Sequence, residues 1–175
     1  MKNYFNIILL TLQISAFGQQ AKDTCKITSI NIGKDGIVHW TTKNDQNKTP
    51  FIIEQYRWNK WVKIGVVWVT TTSSDTQTYT FKSIPNSGEN QLRVLHENDT
   101  TLFRGVKWTS DVPHVKFTIN KDTKEVQFTN ETLFEIRDTK GNVIKKGLSQ
   151  TIWYKDIPGG SYILNYDNST AELKL

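Results

Sequence analysis

The sequence predicts an all-β chain: a seven-stranded sandwich followed by a smaller β-sandwich. Three observations carry this. Beyond residue 18 no window places apolar residues at i, i+3, i+4 and i+7 over three turns, so helical periodicity is missing. Thr, Val, Ile, Trp, Tyr and Phe are plentiful, and turn residues recur about every 8 to 14 positions. The stretch Phe51–Gly65 shows the strand pattern most clearly. Phe51 and Ile53 fall on one face and Ile52 and Glu54 on the other, the period of two that a strand imposes. Trp58-Asn59-Lys60 breaks the run where Asn tolerates a left-handed backbone. Trp61-Val62-Lys63-Ile64 starts a second run that continues through Val69. A lone hairpin is marginal in water, so other strands must cover its apolar face.

The chain begins with the build of a secretory signal peptide. Met1-Lys2 is a short positive end, Phe5–Phe17 is mostly apolar, and Ala16-Phe17-Gly18 offers small residues at the −3 and −1 positions. The apolar run is shorter than the roughly 20 residues of a spanning helix, and Asn6 and Gln13 interrupt it. Cleavage after Gly18 is expected, leaving Gln19 at a terminus where it can cyclise. A lipoprotein anchor on Cys25 does not fit, because Asp23-Thr24 precede it instead of small and apolar residues. Cys25 is the single cysteine, so no internal disulfide can form and the core must hold the fold. It reads as an inert residue near the first strand.

The strands of residues 19–110 follow in order. Lys26–Ile32 is the first and Lys34-Asp35-Gly36 a turn. Ile37–Thr42 is the second, with Val38 and Trp40 on one face. Lys43–Thr49 is a polar loop before the hairpin, and Thr70–Asp75 a Thr/Ser-rich connection after it. Thr76–Ile84 alternates Tyr79 and Phe81, and Pro85-Asn86-Ser87-Gly88 is a turn. Asn90–Glu97 sets Leu92, Val94 and His96 against Gln91, Arg93 and Leu95. Leu102–Thr109 is the seventh strand, anchored by Phe103, Val106 and Trp108. Seven strands is the count of a fibronectin- or immunoglobulin-like sandwich.

Ser110–Pro113 is a linker, and residues 111–175 form the smaller sandwich. Val115–Ile119 alternates. Val126–Phe128 and Leu133–Arg137 read as separate strands, Asp138–Asn142 as a tight turn with Gly141 at positive φ. Val143-Ile144 begin a strand that Gly147 ends, and Ile152-Trp153 begin another. Tyr162–Leu164 and Ala171–Leu173 close a hairpin across Asp167-Asn168. A module this small, with no disulfide, is expected to dock on the first.

Charge and motifs argue against several functions. The formal charge of +5 becomes +4 when Lys2 leaves with the leader, and the excess is spread along the chain. The one basic-aromatic stretch, Tyr56–Lys63, reads as a hairpin with solvated Arg and Lys on its outer face, so nucleic acid is not an expected partner. His39, His96 and His114 are far apart and read as surface or strand-edge residues. No metal-ligand spacing, nucleophile elbow or phosphate loop occurs. The six turn-side aspartates, Asp35, Asp45, Asp99, Asp122, Asp138 and Asp167, suit local hydrogen bonding. Four Asn-x-Ser/Thr triplets, at Asn47, Asn98, Asn130 and Asn168, read as chance in an Asn- and Thr-rich chain. The chain is read as non-enzymatic, with no cofactor and no metal.

Trp40, Tyr79, Phe81, Phe103 and Trp108 read as core. Tyr56, Trp58, Trp61 and Trp68 exceed what one sheet face can hide. With Arg57 and Lys60 they form the candidate binding set. Two readings stay open for these aromatics: burial against the second module, or an exposed patch that marks a binding surface.

Residues 27–109 resemble the fibronectin type III-like modules of secreted bacterial envelope proteins. The matching pieces are Val38-x-Trp40-Thr41-Thr42, Phe51-Ile52-Ile53-Glu54, Trp61-Val62-Lys63-Ile64-Gly65, Tyr79-Thr80-Phe81 and Gly88–Val94, with Leu92 where the family usually has an aromatic. Phe134–Ile144 and Ile157–Leu164 resemble two hairpin motifs of the C-terminal sorting domain of type IX secretion cargo. The Pro-Asn-Pro opening and the basic tail of that family are not matched. The resemblance implies an exported protein, periplasmic, outer-membrane-associated or at the cell surface, and not membrane-spanning once its leader is removed. It implies an adaptor or accessory subunit of an envelope or cell-surface protein assembly, binding its partner through hairpin 51–69 or a sheet edge. Two alternatives remain, a carbohydrate-binding module using exposed Trp and Tyr on a glycan, and a small type IX cargo displayed at the surface.

Overall fold

A computed structural model describes residues 25–33, 35–43, 49–69, 76–96 and 99–175, with backbone only for 99–104. The expected leader 1–18, the connection 70–75 and the side chain of Phe103 lie outside the described residues, as do Asn47 and Asn98. Among the described residues no helix is long and apolar enough to cross a membrane.

Seven strands make the first two-sheet sandwich: β1 (Lys26–Ile32), β2 (Ile37–Lys43), β3 (Phe51–Arg57), β4 (Lys60–Val67), β5 (Thr76–Lys82), β6 (Gly88–His96) and β7 (Asp99–Ser110). One sheet has the order β1-β2-β5, the other β4-β3-β6-β7, all antiparallel. Alternation decides what goes inside. Val38 and Trp40 of β2, Phe51 and Ile53 of β3, Tyr79 of β5 and Leu92 and Val94 of β6 form the core. Trp40, 0% exposed, stacks on Tyr79 at 5.6 Å and meets Phe51 edge-on at 5.6 Å, tying the two sheets together. Such pairs add about 0.5–1.5 kcal/mol each beyond area burial. His96, expected at the surface, is buried against Phe51 at 5.5 Å, because it shares the inward parity of Leu92 and Val94.

The C-terminal module has five strands in one sheet: β8 (Phe117–Asn120), β9 (Glu125–Arg137), β10 (Val143–Trp153), β11 (Ser161–Tyr166) and β12 (Ser169–Lys174). The order is β10-β9-β11-β12, with β8 on the other half of β9. This differs from the expected short strands. Val126–Phe128 and Leu133–Arg137 belong to one 13-residue strand, and Val143–Gly147 and Ile152-Trp153 to one 11-residue strand. Gly147 does not end β10: its missing side chain admits the Phe134 ring, 3.3 Å from where a Cβ would stand. The β9–β10 register jumps from Thr132↔Ser149 to Gln127↔Thr151, a bulge of the kind that bends a strand. The bend folds the sheet over its own core, so that Phe128 before it packs on Phe134 and Tyr166 beyond it. Val126, Ile136, Ile152, Leu164 and Leu173 complete this second core. Gly141 takes φ 88°, as the turn requires.

Gly65 of β4 lies against the Phe81 ring of the opposite sheet, and a Cβ there would fall inside the ring's contact distance. Gly65→Ala is expected to cost about 1–3 kcal/mol. In urea titration this lowers the midpoint at unchanged slope.

Candidate functional site

The site forms where the tip of the β3–β4 hairpin meets the second module. The turn is two residues long, with Arg57 opposite Lys60. Trp58 and Asn59 take φ 50° and φ 59°. Asn suits this left-handed region; a bulky Trp rarely occupies it, and such a residue costs on the order of 1–3 kcal/mol. The Trp58 indole N–H is also removed from solvent without an acceptor among the described residues.

Arg57 corrects the sequence expectation. It is 2% exposed, not solvated. Phe51, Ile53, Gln55 and Arg57 share one parity of β3, and all four point inward. A buried guanidinium must have its N–H groups taken. Nε donates to Gln55 Oε1 at 3.0 Å, Nη2 to the Ile84 carbonyl at 2.5 Å and Nη1 to the Asp167 carbonyl at 3.3 Å. Gln55 in turn donates to Asn90 Oδ1 at 2.8 Å, and Asn90 holds the carbonyls of Asn86 and Gly88. Burial lowers the Arg57 pKa to about 10 against the opposing pull of Asp167, so it stays charged at neutral pH.

Asp167 stands in the β11–β12 turn at φ 46°, where a short polar side chain is tolerated. It is 2% exposed. Its carboxylate accepts from Ser87 N at 3.0 Å, Ser87 Oγ at 2.8 Å and Val115 N at 3.3 Å, and His114 Nδ1 lies 2.9 Å away. Asn168 Nδ2 donates to the Ser87 carbonyl at 2.8 Å. One turn of the second module thus grips the β5–β6 loop, the linker and the end of β3.

A second link lies at the hairpin tip. Lys60 Nζ donates to Glu135 Oε2 at 2.5 Å, and Arg137 Nη2 to Glu135 Oε1 at 2.5 Å. Burial works to raise the Glu135 pKa; hydrogen bonds and charge from Lys60 and Arg137 outweigh it and hold the group below the ordinary 4.5.

Two clefts flank Trp58. The larger, about 450 Å³, is walled by Trp58, Lys60, Trp61, Val62 and Lys63 on one side. Leu133, Glu135, Lys146 and Leu148, on the outward face of the β9–β10 ladder, close the other. The smaller, about 330 Å³, lies on the other flank between Tyr56, Asn59, Glu89, Gln91, Asn168 and Thr170. The expected set is therefore divided. Trp58, Lys60 and Trp61 share the larger cleft, and Tyr56, Arg57 and Trp58 line the smaller. Trp68, 69% exposed, lines neither. Trp61 meets Tyr56 edge-on at 5.4 Å and carries the Arg93 guanidinium over its ring at 4.3 Å. At the tip Trp58 and Trp61 are partly buried, and both line the larger cleft with residues of the second module. Asp167, Ser87, Glu135 and Lys146 were not legible as site residues: the first two read only as turn formers, and no local pattern marks the others.

Among the described residues no group of three or more His, Cys, Asp or Glu could hold a metal ion. No family model matches the chain, and no curated protein matches it in sequence.

Arg57→Met strands three acceptors, two buried and one partly buried, and is expected to cost about 2–5 kcal/mol in chemical denaturation. The Glu135 contribution has a definite sign with pH. Its native pKa lies below 4.5, so its stabilisation is complete above that pH and is lost as pH falls through the lowered native value. Glu135→Gln is expected to flatten the acid limb of a stability profile taken between about pH 6 and about pH 3.

Proposed function

We propose that this chain is a non-enzymatic, exported adaptor or accessory subunit of a bacterial cell-envelope or cell-surface assembly, binding another protein through the hairpin 51–69. The observation that carries the reading is the position of β4. It is the outer strand of its sheet and pairs only with β3 among the described residues. An outer strand has one unpaired row of N–H and C=O groups, which an extended partner segment can complete as an added strand. Exposed aromatics stand nearby: Trp68 follows β4 directly, and Tyr56 lies on β3 opposite Trp61. Aromatic residues of this kind dominate the binding energy of protein interfaces.

Sugar stacking draws less support. At the larger cleft Trp58 and Trp61 are only partly exposed, and Arg93 covers one face of Trp61. The export route and the envelope address rest on the leader and on the resemblances in both modules.

Affinity purification of the tagged protein from its own host tests this. One stoichiometric partner is expected, with capture weakened at least about tenfold by Trp68→Ser, the change expected when one interface aromatic is lost. Absence of any partner, or glycan retention lost in the Trp58→Ala, Trp61→Ala double variant, would overturn it.

A further inference from the structure

The larger cleft has a composition that selects its occupant. Its walls are apolar and aromatic: Trp58, Trp61, Leu133 and the exposed Leu148. Its charges are unequal. Glu135 is fully engaged by Lys60 and Arg137. Lys63 and Lys146 are exposed at opposite walls and have no ion-pair partner among the described residues. Every charge left over in the cleft is therefore positive. Four consecutive residues of the outer strand β4, Lys60 to Lys63, line the cleft, about 13 Å of extended chain. At about 450 Å³ it admits one or two large side chains.

We infer that this cleft binds an extended acidic segment of a partner protein. Apolar side chains of the segment seat between Trp58, Trp61, Leu133 and Leu148, and its carboxylates meet Lys63 and Lys146. This deepens the adaptor reading and rests on it. Trp61 and Lys63 share one face of β4, and a strand beside β4 sends every second side chain to that face, so an acid and an apolar residue must stand two positions apart in the guest.

The probe is an acetylated, amidated hexapeptide, Asp-Asp-Leu-Phe-Asp-Asp, which carries acid and apolar side chains two positions apart on each face, titrated into the mature protein by calorimetry. The control replaces each Asp of the peptide by Lys. The acidic peptide is expected to bind at least about tenfold tighter than the control, with affinity falling as salt rises. Lys63→Gln with Lys146→Gln is expected to remove that preference while leaving the unfolding midpoint near wild type, since both side chains are exposed and no like charges are set opposite Glu54 or Glu135. Equal binding of the two peptides, or no binding of either, overturns the inference. Capture of a host partner that survives the double Lys→Gln substitution also overturns it, yet leaves the adaptor reading standing. Selective acidic binding without any host partner keeps the inference and sinks the adaptor reading.

Discussion

A buried guanidinium organises this molecule. Arg57 lies at the inward parity of β3, behind Phe51, Ile53 and Gln55, at the end of the sandwich where the apolar core runs out. Water cannot satisfy it there, so protein must. Gln55 and Ile84 supply two acceptors from within the first module; the remaining one is a carbonyl of Asp167 in the second. The first module therefore completes its own interior only with the second in place. Asp167 answers with a carboxylate that binds the β5–β6 loop and the linker. The lack of a disulfide is consistent with this, because the clamp of polar contacts does the joining.

The clamp explains the geometry of the hairpin tip. With Arg57 drawn inward and Lys60 drawn onto Glu135, the two turn residues between them have little freedom. Trp58 is held in the left-handed region with its indole N–H lacking an acceptor among the described residues. Both features are unfavourable, and both fall on a residue that walls two clefts. Local costs of this kind concentrate at sites whose shape matters more than their stability. The larger cleft is thus a consequence of docking: its floor comes from β9 and β10 and its lip from β4.

The strands of the first module were legible because period-two alternation is strong where one face is buried. Val38-Trp40 and Leu92-Val94 show it. The same alternation also placed Arg57 on the core face. Its charge argued for solvent, and parity won because acceptors waited inside. In the second module the bend of β9 and β10 hid their continuity. Asn130 and Glu131 look like a turn, whereas they form the exposed bulge of one long strand. Glu135 and Asp167 could not be found from sequence at all. Their partners are 75 and 80 positions away, and such pairings leave no local trace.

The central claim is that the two modules form one cooperative body through the Arg57–Asp167 clamp. Calorimetric unfolding of the chain from Gln19 to Leu175 tests it most directly. The account predicts a single transition with equal calorimetric and van't Hoff enthalpies, splitting into two when Arg57 is replaced by Met, which removes the donor to the Asp167 carbonyl. Two independent transitions in the unaltered protein would contradict it.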